Sequence, residues 1–193
     1  MDNRQKQYKY AREFKKGGTI LELGSGAGDF LYICAEIGLK AAGVDRSSEK
    51  REGVKVIKKD IPAYLRTVKK RQYDGVYARH ILEHFGEKDL NGLVKDIAGT
   101  LKEEGKLIAI LPNIKNIGVA TTEFWKDRTH VKPHTSAELK VIFEAHDLQV
   151  IRSGVDNDSW DNSAIKRGLR IIRTLISGVK NEPPDYYIIA VKK

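Results

Sequence analysis

Residues Ile20-Leu21-Glu22-Leu23-Gly24-Ser25-Gly26-Ala27-Gly28-Asp29-Phe30 carry a short apolar strand into three glycines at alternate positions and then into a helix-like run. Glycines at a strand's carboxyl end let the chain turn tightly and let a ligand approach the main chain, beside a helix N-terminus whose free N–H groups favour negative charge. The pattern is that of a nucleotide-cofactor loop. Its spacing is G-x-G-x-G, whereas dinucleotide loops read G-x-G-x-x-G, and Glu22 would face a positively charged ligand better than a pyrophosphate. A sulfonium cofactor satisfies both features.

Outward from this loop, strands and helices alternate. Apolar runs predict strands near 19–23, 41–45, 54–58, 73–78, 106–111, 148–153 and 186–191. Apolar spacing with glycine and proline punctuation predicts helices near 2–15, 29–38, 61–71, 87–102, 136–146 and 164–177. Such alternation implies an α/β fold with a doubly wound, mostly parallel sheet. The long irregular stretches 112–135 and 154–163 fall at strand ends, where loops build binding sites.

The stretch LELGSGAGDF, followed by the strand Ala41-Ala42-Gly43-Val44 ending in Asp45, resembles motifs I and II of the class I S-adenosylmethionine-dependent methyltransferases. The resemblance covers most of the chain. It implies a seven-stranded, Rossmann-like sheet whose last strand inserts antiparallel, a role that suits Tyr186–Val191 after Pro183-Pro184. Asp45 lies seventeen positions after Gly28, where a strand-end carboxylate can accept hydrogen bonds from both ribose hydroxyls; the alternative is a turn or helix cap before Ser47-Ser48. Asp60 and Ile61 match the positions that the family places at the adenine amino group and against the ring. The resemblance thus assigns cofactor contacts to Glu22, Gly24, Ser25, Gly26, Gly28, Asp45, Arg46, Asp60, Ile61 and Arg79.

A second constellation, Arg79-His80-Ile81-Leu82-Glu83-His84, follows the fourth strand. If the chain turns helical after Ala78, then His80, Glu83 and His84 share one face. His-x-x-Glu-His also reads as an inverted zinc-peptidase motif, but that motif needs a long helix and a further downstream ligand, whereas this string sits at a sheet edge beside a cofactor loop. It resembles instead the LEH segment of methyltransferases acting on quinone precursors, sugars and polyketide-like molecules, which would place His84 in the acceptor pocket.

The third constellation is Pro112-Asn113, then Phe124-Trp125-Lys126-Asp127-Arg128-Thr129-His130, then a helix capped by Thr135 or Ser136. It resembles a subset of methyltransferases with small-molecule or glycan acceptors. In that subset, and in ubiquinone-type and small-RNA 3′-end O-methyltransferases, a Glu-His pair and a later histidine can hold a divalent metal. Carried over, the ligands are Glu83, His84 and His130; the RNA enzymes have a glutamate where this chain has His80, which leaves the fourth ligand open. Such a set suits Mn²⁺, Fe²⁺ or Zn²⁺ better than Mg²⁺. The competing reading is a polar, metal-free cleft. A methyl group on a sulfonium is already activated, so the protein must mainly exclude water and align the reactants. For a hydroxyl acceptor a histidine can serve as base: His84 and His130 are the catalytic candidates, with His80 and His134 behind them. Phe124 and Trp125 would either wall the acceptor pocket or anchor their loop.

Composition fits one domain over residues 1–193, with 1–16 as an N-terminal helix or lid and 112–135 and 154–180 as acceptor-side insertions. The chain is 40% hydrophobic and 32% charged, no apolar run approaches the roughly 18 residues of a membrane span, and Met1–Lys6 lacks the apolar core of a secretion signal. A cytoplasmic protein is the expectation. Cys34 reads as a buried small hydrophobe. The net charge of +9 is spread along the chain and is compatible with a lysine-rich solvated surface. One segment, Ile165–Ile176, sets Lys166, Arg170 and Arg173 against an apolar face and would suit a phosphate-bearing acceptor or an RNA backbone. The expected function is methylation of a small-molecule or glycan hydroxyl; an RNA methyltransferase or a non-catalytic cofactor-binding module are the alternatives.

Overall fold

The computed structural model describes residues 3–47, 52–159, 168, 171 and 182–193. Seven strands form one sheet in the order β3-β2-β1-β4-β5-β7-β6. They are β1 (Thr19–Leu23), β2 (Lys40–Asp45), β3 (Lys55–Lys58), β4 (Tyr73–Arg79), β5 (Leu101–Pro112), β6 (Leu148–Val155) and β7 (Asp185–Lys192). β7 pairs antiparallel with both β5 and β6, and the other pairings are parallel. The α/β, mostly parallel architecture with an inverted last strand is therefore the one expected.

The central strands are buried on both faces because helices cover each side, so Val76-Tyr77-Ala78 of β4 and Leu107–Leu111 of β5 read as continuous apolar runs. On one side α4 (Glu87–Thr100) buries Leu90, Leu93, Val94 and Ile97, a helical stripe that meets Leu21, Val76 and Leu107, together with α6 (Ser136–Glu144). On the other side α2 (Asp29–Glu36) and the N-terminal helix α1 (Asn3–Ala11) pack Phe30, Ile33, Tyr10 and Ala11, with Phe14 beyond them, over Ile20, Tyr77 and Ile108. Phe30 stacks on Tyr77 with ring centroids 3.8 Å apart. The N-terminal helix α1 packs on the sheet through Tyr10 and Ala11.

Three expectations change. The helix predicted over 61–71 is only α3 (Ile61–Leu65), since the charged run that follows offers no apolar stripe and Arg71 turns left-handed at φ 56°. No helix begins after Ala78: β4 continues to Arg79, His80 adopts φ 52°, and a single 3₁₀ turn spans Leu82–His84. The loop 112–135 contains a wide turn, Val119–Glu123, and the short helix α5 (Phe124–Lys126). The expected basic helix 164–177 lies outside the described residues, apart from 168 and 171. No helix among the described residues is long and apolar enough to cross a membrane.

Candidate functional site

Strand register assembles the site. Leu23 pairs with Val44 and Ala78, Val44 with Ile57, and Ala78 with Ala109. Gly24, Asp45 and Arg79, each one residue further on, therefore emerge along the same carboxyl edge, where ligands bind in open parallel sheets. The glycine loop folds back over β2 so closely that a Cβ at Gly43 would stand 2.4 Å from the Cβ of Ser25. Gly24, Gly26 and Gly28 all have positive φ. A Cβ at Gly24 would collide with Ile81 at 2.0 Å, whereas one at Gly26 meets nothing within 4 Å. Gly24 thus serves packing, and Gly26 faces open space.

The carboxylate of Asp45 accepts the Gly26 N–H at 2.8 Å through Oδ2 and the Ser47 N–H and hydroxyl at 2.8 and 3.0 Å through Oδ1. The turn reading of Asp45 is therefore present in the geometry. Asp60 caps α3 by accepting the Ala63 N–H. An open cleft of about 530 Å³ is lined by Gly24, Asp45, Arg46, Asp60, Ile61 and His84, with Thr129 on the loop side. A smaller hollow of about 170 Å³ adjoins it and is lined by Gln7, Glu22, Ser25, Arg79 and His80. There Glu22 Oε2 and Ser25 Oγ are buried without a hydrogen-bond partner. Burial, reinforced by Asp29 and Asp45, holds the Glu22 carboxyl well above the usual range, with Arg79 opposing. Such a hollow can take a group that brings its own positive charge. Gln7, on the packed N-terminal helix, has no sequence signal; only packing brings it here.

At the cleft's other wall, ligand atoms of Glu83, His84 and His130 lie within 4.8 Å of one another. The Glu83 side chain is 0% exposed, and neither carboxylate oxygen accepts a hydrogen bond. His130 Nε2 stands 4.0 Å from Glu83 Oε1, and the His84 and His130 rings are 4.8 Å apart. A carbonyl only accepts, so the contacts of His130 Nδ1 with the Phe124 carbonyl at 2.6 Å and of His84 Nδ1 with the Thr129 carbonyl at 3.2 Å place a proton on each Nδ1. In the neutral rings Nε2 then carries the lone pair. The loop is held on this wall by the N–H groups of Val131 and Lys132, which donate to the Glu83 carbonyl.

His80 lies between two acids, Nδ1 at 3.3 Å from Glu83 and Nε2 at 3.6 Å from Asp185. Burial raises the Asp185 carboxyl above its ordinary value, with His80 and Arg79 opposing. His134 is not part of this wall: its buried ring contacts the Phe85 carbonyl and Glu138, and its own carbonyl accepts the Tyr186 hydroxyl. It lines a second cleft, of about 340 Å³, with Asn113 and Glu182. Asn113 donates to Glu182 and to the Pro183 carbonyl, stapling the end of β5 to the approach to β7. Phe124 is buried as a loop anchor, and Trp125 is 61% exposed with its indole bonded to the Ala120 carbonyl; the anchor reading holds for Phe124, and Trp125 does not line the cleft.

Residues 2–153 match the family model of a methyltransferase domain. Among solved structures, the chain is similar to an S-adenosylmethionine-dependent methyltransferase from Archaeoglobus fulgidus, with 25% identity, a TM-score of 0.80, and 98% of this chain and 92% of that one covered. It is also similar in fold to a chain of the Haloferax volcanii complex between the Trm112 methyltransferase activator and a methyltransferase, with 16% identity, a TM-score of 0.73, and coverage of 98% and 90%. Phosphoethanolamine N-methyltransferase 2 of Haemonchus contortus, solved with S-adenosyl-L-methionine, shares the fold at 17% identity and a TM-score of 0.69, with 97% of this chain and 52% of that one covered. No curated protein sequence matches the chain.

Proposed function

The chain belongs to the methyltransferase domain family, and from that premise we propose that it moves the methyl group of S-adenosylmethionine to a hydroxyl of a small-molecule or glycan acceptor. The observation that carries this reading is the continuity of the main cleft, which runs from Asp45, Asp60 and Ile61 to His84 and Thr129 within about 530 Å³. Adenosine would lie over Asp45 and Asp60 with Ile61 against the ring. The methionine end would enter the adjoining hollow, its cationic groups facing Glu22, whose Oε2 has no hydrogen-bond partner, and its carboxylate facing Arg79. The Gly24, Ser25, Gly26 and Gly28 loop would shape the passage between them, with Arg46 at its rim.

Transfer needs the acceptor oxygen, the methyl carbon and the sulfur in line, with water excluded. The new oxygen–carbon bond forms as the carbon–sulfur bond breaks, and the departing sulfur keeps the electron pair. The acceptor's proton goes to a lone-pair nitrogen, and the carbonyl bonds on Nδ1 leave Nε2 of His84 or His130 to receive it. His80 and His134 then act as neighbours of the site and not as its base.

The same wall fits a divalent cation. A fully buried carboxylate that accepts no hydrogen bond is costly unless a positive charge meets it, and Glu83 with two nearby imidazoles is a donor set for Mn²⁺, Fe²⁺ or Zn²⁺. When bound, the ion would occupy the Nε2 lone pairs of His84 and His130 in place of their role as base, and would lower the pKa of an acceptor hydroxyl so that its proton leaves to solvent.

Incubation with labelled S-adenosylmethionine and a panel of hydroxylated small molecules, glycans, amines and RNA tests the reading. Methyl ethers on small molecules or glycans, identified by mass spectrometry, support it. Transfer to RNA with a steep fall in rate as salt rises would overturn it in favour of the nucleic-acid alternative, and transfer to amines alone would overturn the hydroxyl assignment.

A further inference from the structure

The turn 127–130 joins one acid to both histidines of the cleft wall. Asp127 Oδ1 accepts the Thr129 N–H at 2.8 Å and the Thr129 hydroxyl at 2.6 Å. With its proton given to Asp127, that hydroxyl offers a lone pair to His84 Nδ1, 2.9 Å away. The His130 N–H donates to the Asp127 carbonyl at 3.2 Å. Because Thr129 pins Oδ1, the second oxygen, Oδ2, stands 3.8 Å from His130 Nε2. Two donors each about 2.1 Å from a single ion are at most about 4.2 Å apart. The Asp127–His130 and Glu83–His130 separations fall inside that limit; the ligand atoms of Glu83, His84 and His130 lie within 4.8 Å of one another and Asp127 stands outside that group, so it would move inward to join them.

We propose that Asp127 is the fourth protein donor to a divalent cation held by Glu83, His84 and His130, presented to the site by its bonds to Thr129. The assignment rests on the cation reading given above. His80 is the rival, since its Nδ1 is 3.3 Å from Glu83. The two differ in what a cation would have to displace. His80 is bracketed by Glu83 and Asp185, one against each ring nitrogen, so binding through Nδ1 would break that bracket. Asp127 has its orientation already set by Thr129, and its side chain is 49% exposed, free to turn toward the ion. A carboxylate there also adds a second negative charge opposite a divalent ion beside Glu83.

Zn²⁺ alone, titrated into the full chain by calorimetry with a competing chelator, tests this, with the visible spectrum of Co²⁺ as an independent readout of donor number. Asp127→Asn can keep the Thr129 bonds through its carbonyl oxygen while losing the charge; it should weaken Zn²⁺ binding about tenfold or more and change the Co²⁺ spectrum. His80→Asn suits the left-handed backbone at this position; as a neighbour of Glu83 it can shift Zn²⁺ affinity, but it should leave the donor number read from the Co²⁺ spectrum as in the parent. Unchanged affinity in Asp127→Asn, or a loss confined to His80→Asn, overturns the assignment of Asp127 alone. A parent protein that binds neither ion overturns the cation reading, and this proposal with it.

Discussion

The carboxylate of Asp45 accepts the main-chain N–H of Gly26 at 2.8 Å, joining the end of β2 to the tip of the glycine loop. A ribose bound at this edge would meet an acid already oriented by the loop and by Ser47, so little ordering remains to be done on binding. Asp45→Ala should therefore lower S-adenosylmethionine affinity about ten- to a hundred-fold, corresponding to about 1.5–3 kcal/mol for a lost bond to a charged group. Calorimetry decides it, and an unchanged dissociation constant would remove Asp45 from the cofactor site.

Neighbouring glycines should respond differently to a side chain. At Gly24 a Cβ runs into Ile81 at 2.0 Å, so Gly24→Ala should lower the melting temperature. At Gly26 the space is open, so Gly26→Val should remain folded, with about 1–2 kcal/mol of strain from the left-handed φ, and should lose cofactor binding. Retained binding in a folded Gly26→Val protein would mean that the loop's open face is not the ligand's.

Glu22 holds its proton more tightly in the folded chain than in the unfolded one, mainly through burial. The neutral carboxyl's contribution is thus complete below the ordinary glutamate range and is lost as pH rises through the raised value. Glu22→Gln stays neutral throughout, so its melting temperature should match the parent's near pH 4 and exceed it at pH 8. A gain of about 1 kcal/mol would read as about 2–4 °C in a chain of this size. The same variant should bind S-adenosylmethionine more weakly, because the positive end of the cofactor loses its anion. Melting curves that differ equally at both pH values would contradict the burial argument.

Whichever of His84 and His130 takes the acceptor's proton, its alanine variant should reduce turnover by about 10²–10⁴ while leaving cofactor affinity nearly intact, as expected for a general base at the acceptor side. Chelation with EDTA should also lower turnover if a cation takes part, again without affecting cofactor binding. Wild-type turnover in both alanine variants would place the acceptor elsewhere.

The glycine loop, the strand-end acid and the alternation of seven strands with helices were legible in the chain because each rests on local rules: a strand needs a short apolar run, and a tight turn needs glycine. Those rules also placed a strand after Pro183-Pro184, while its antiparallel insertion was implied by the family resemblance. They failed after Ala78, where apolar and polar spacing suggested a helix. There β4 is instead drawn on to Arg79 by pairing with β5, and His80 takes a left-handed turn. The meeting of Glu83 and His84 with a loop more than forty residues later, the arrival of Gln7 beside Glu22, and the diversion of His134 and Asn113 to a second cleft all depend on which elements share a sheet edge. Sequence spacing carries no record of that edge, because strand order follows from how two helical layers bury a common core, and distant side chains become neighbours only once that packing is complete.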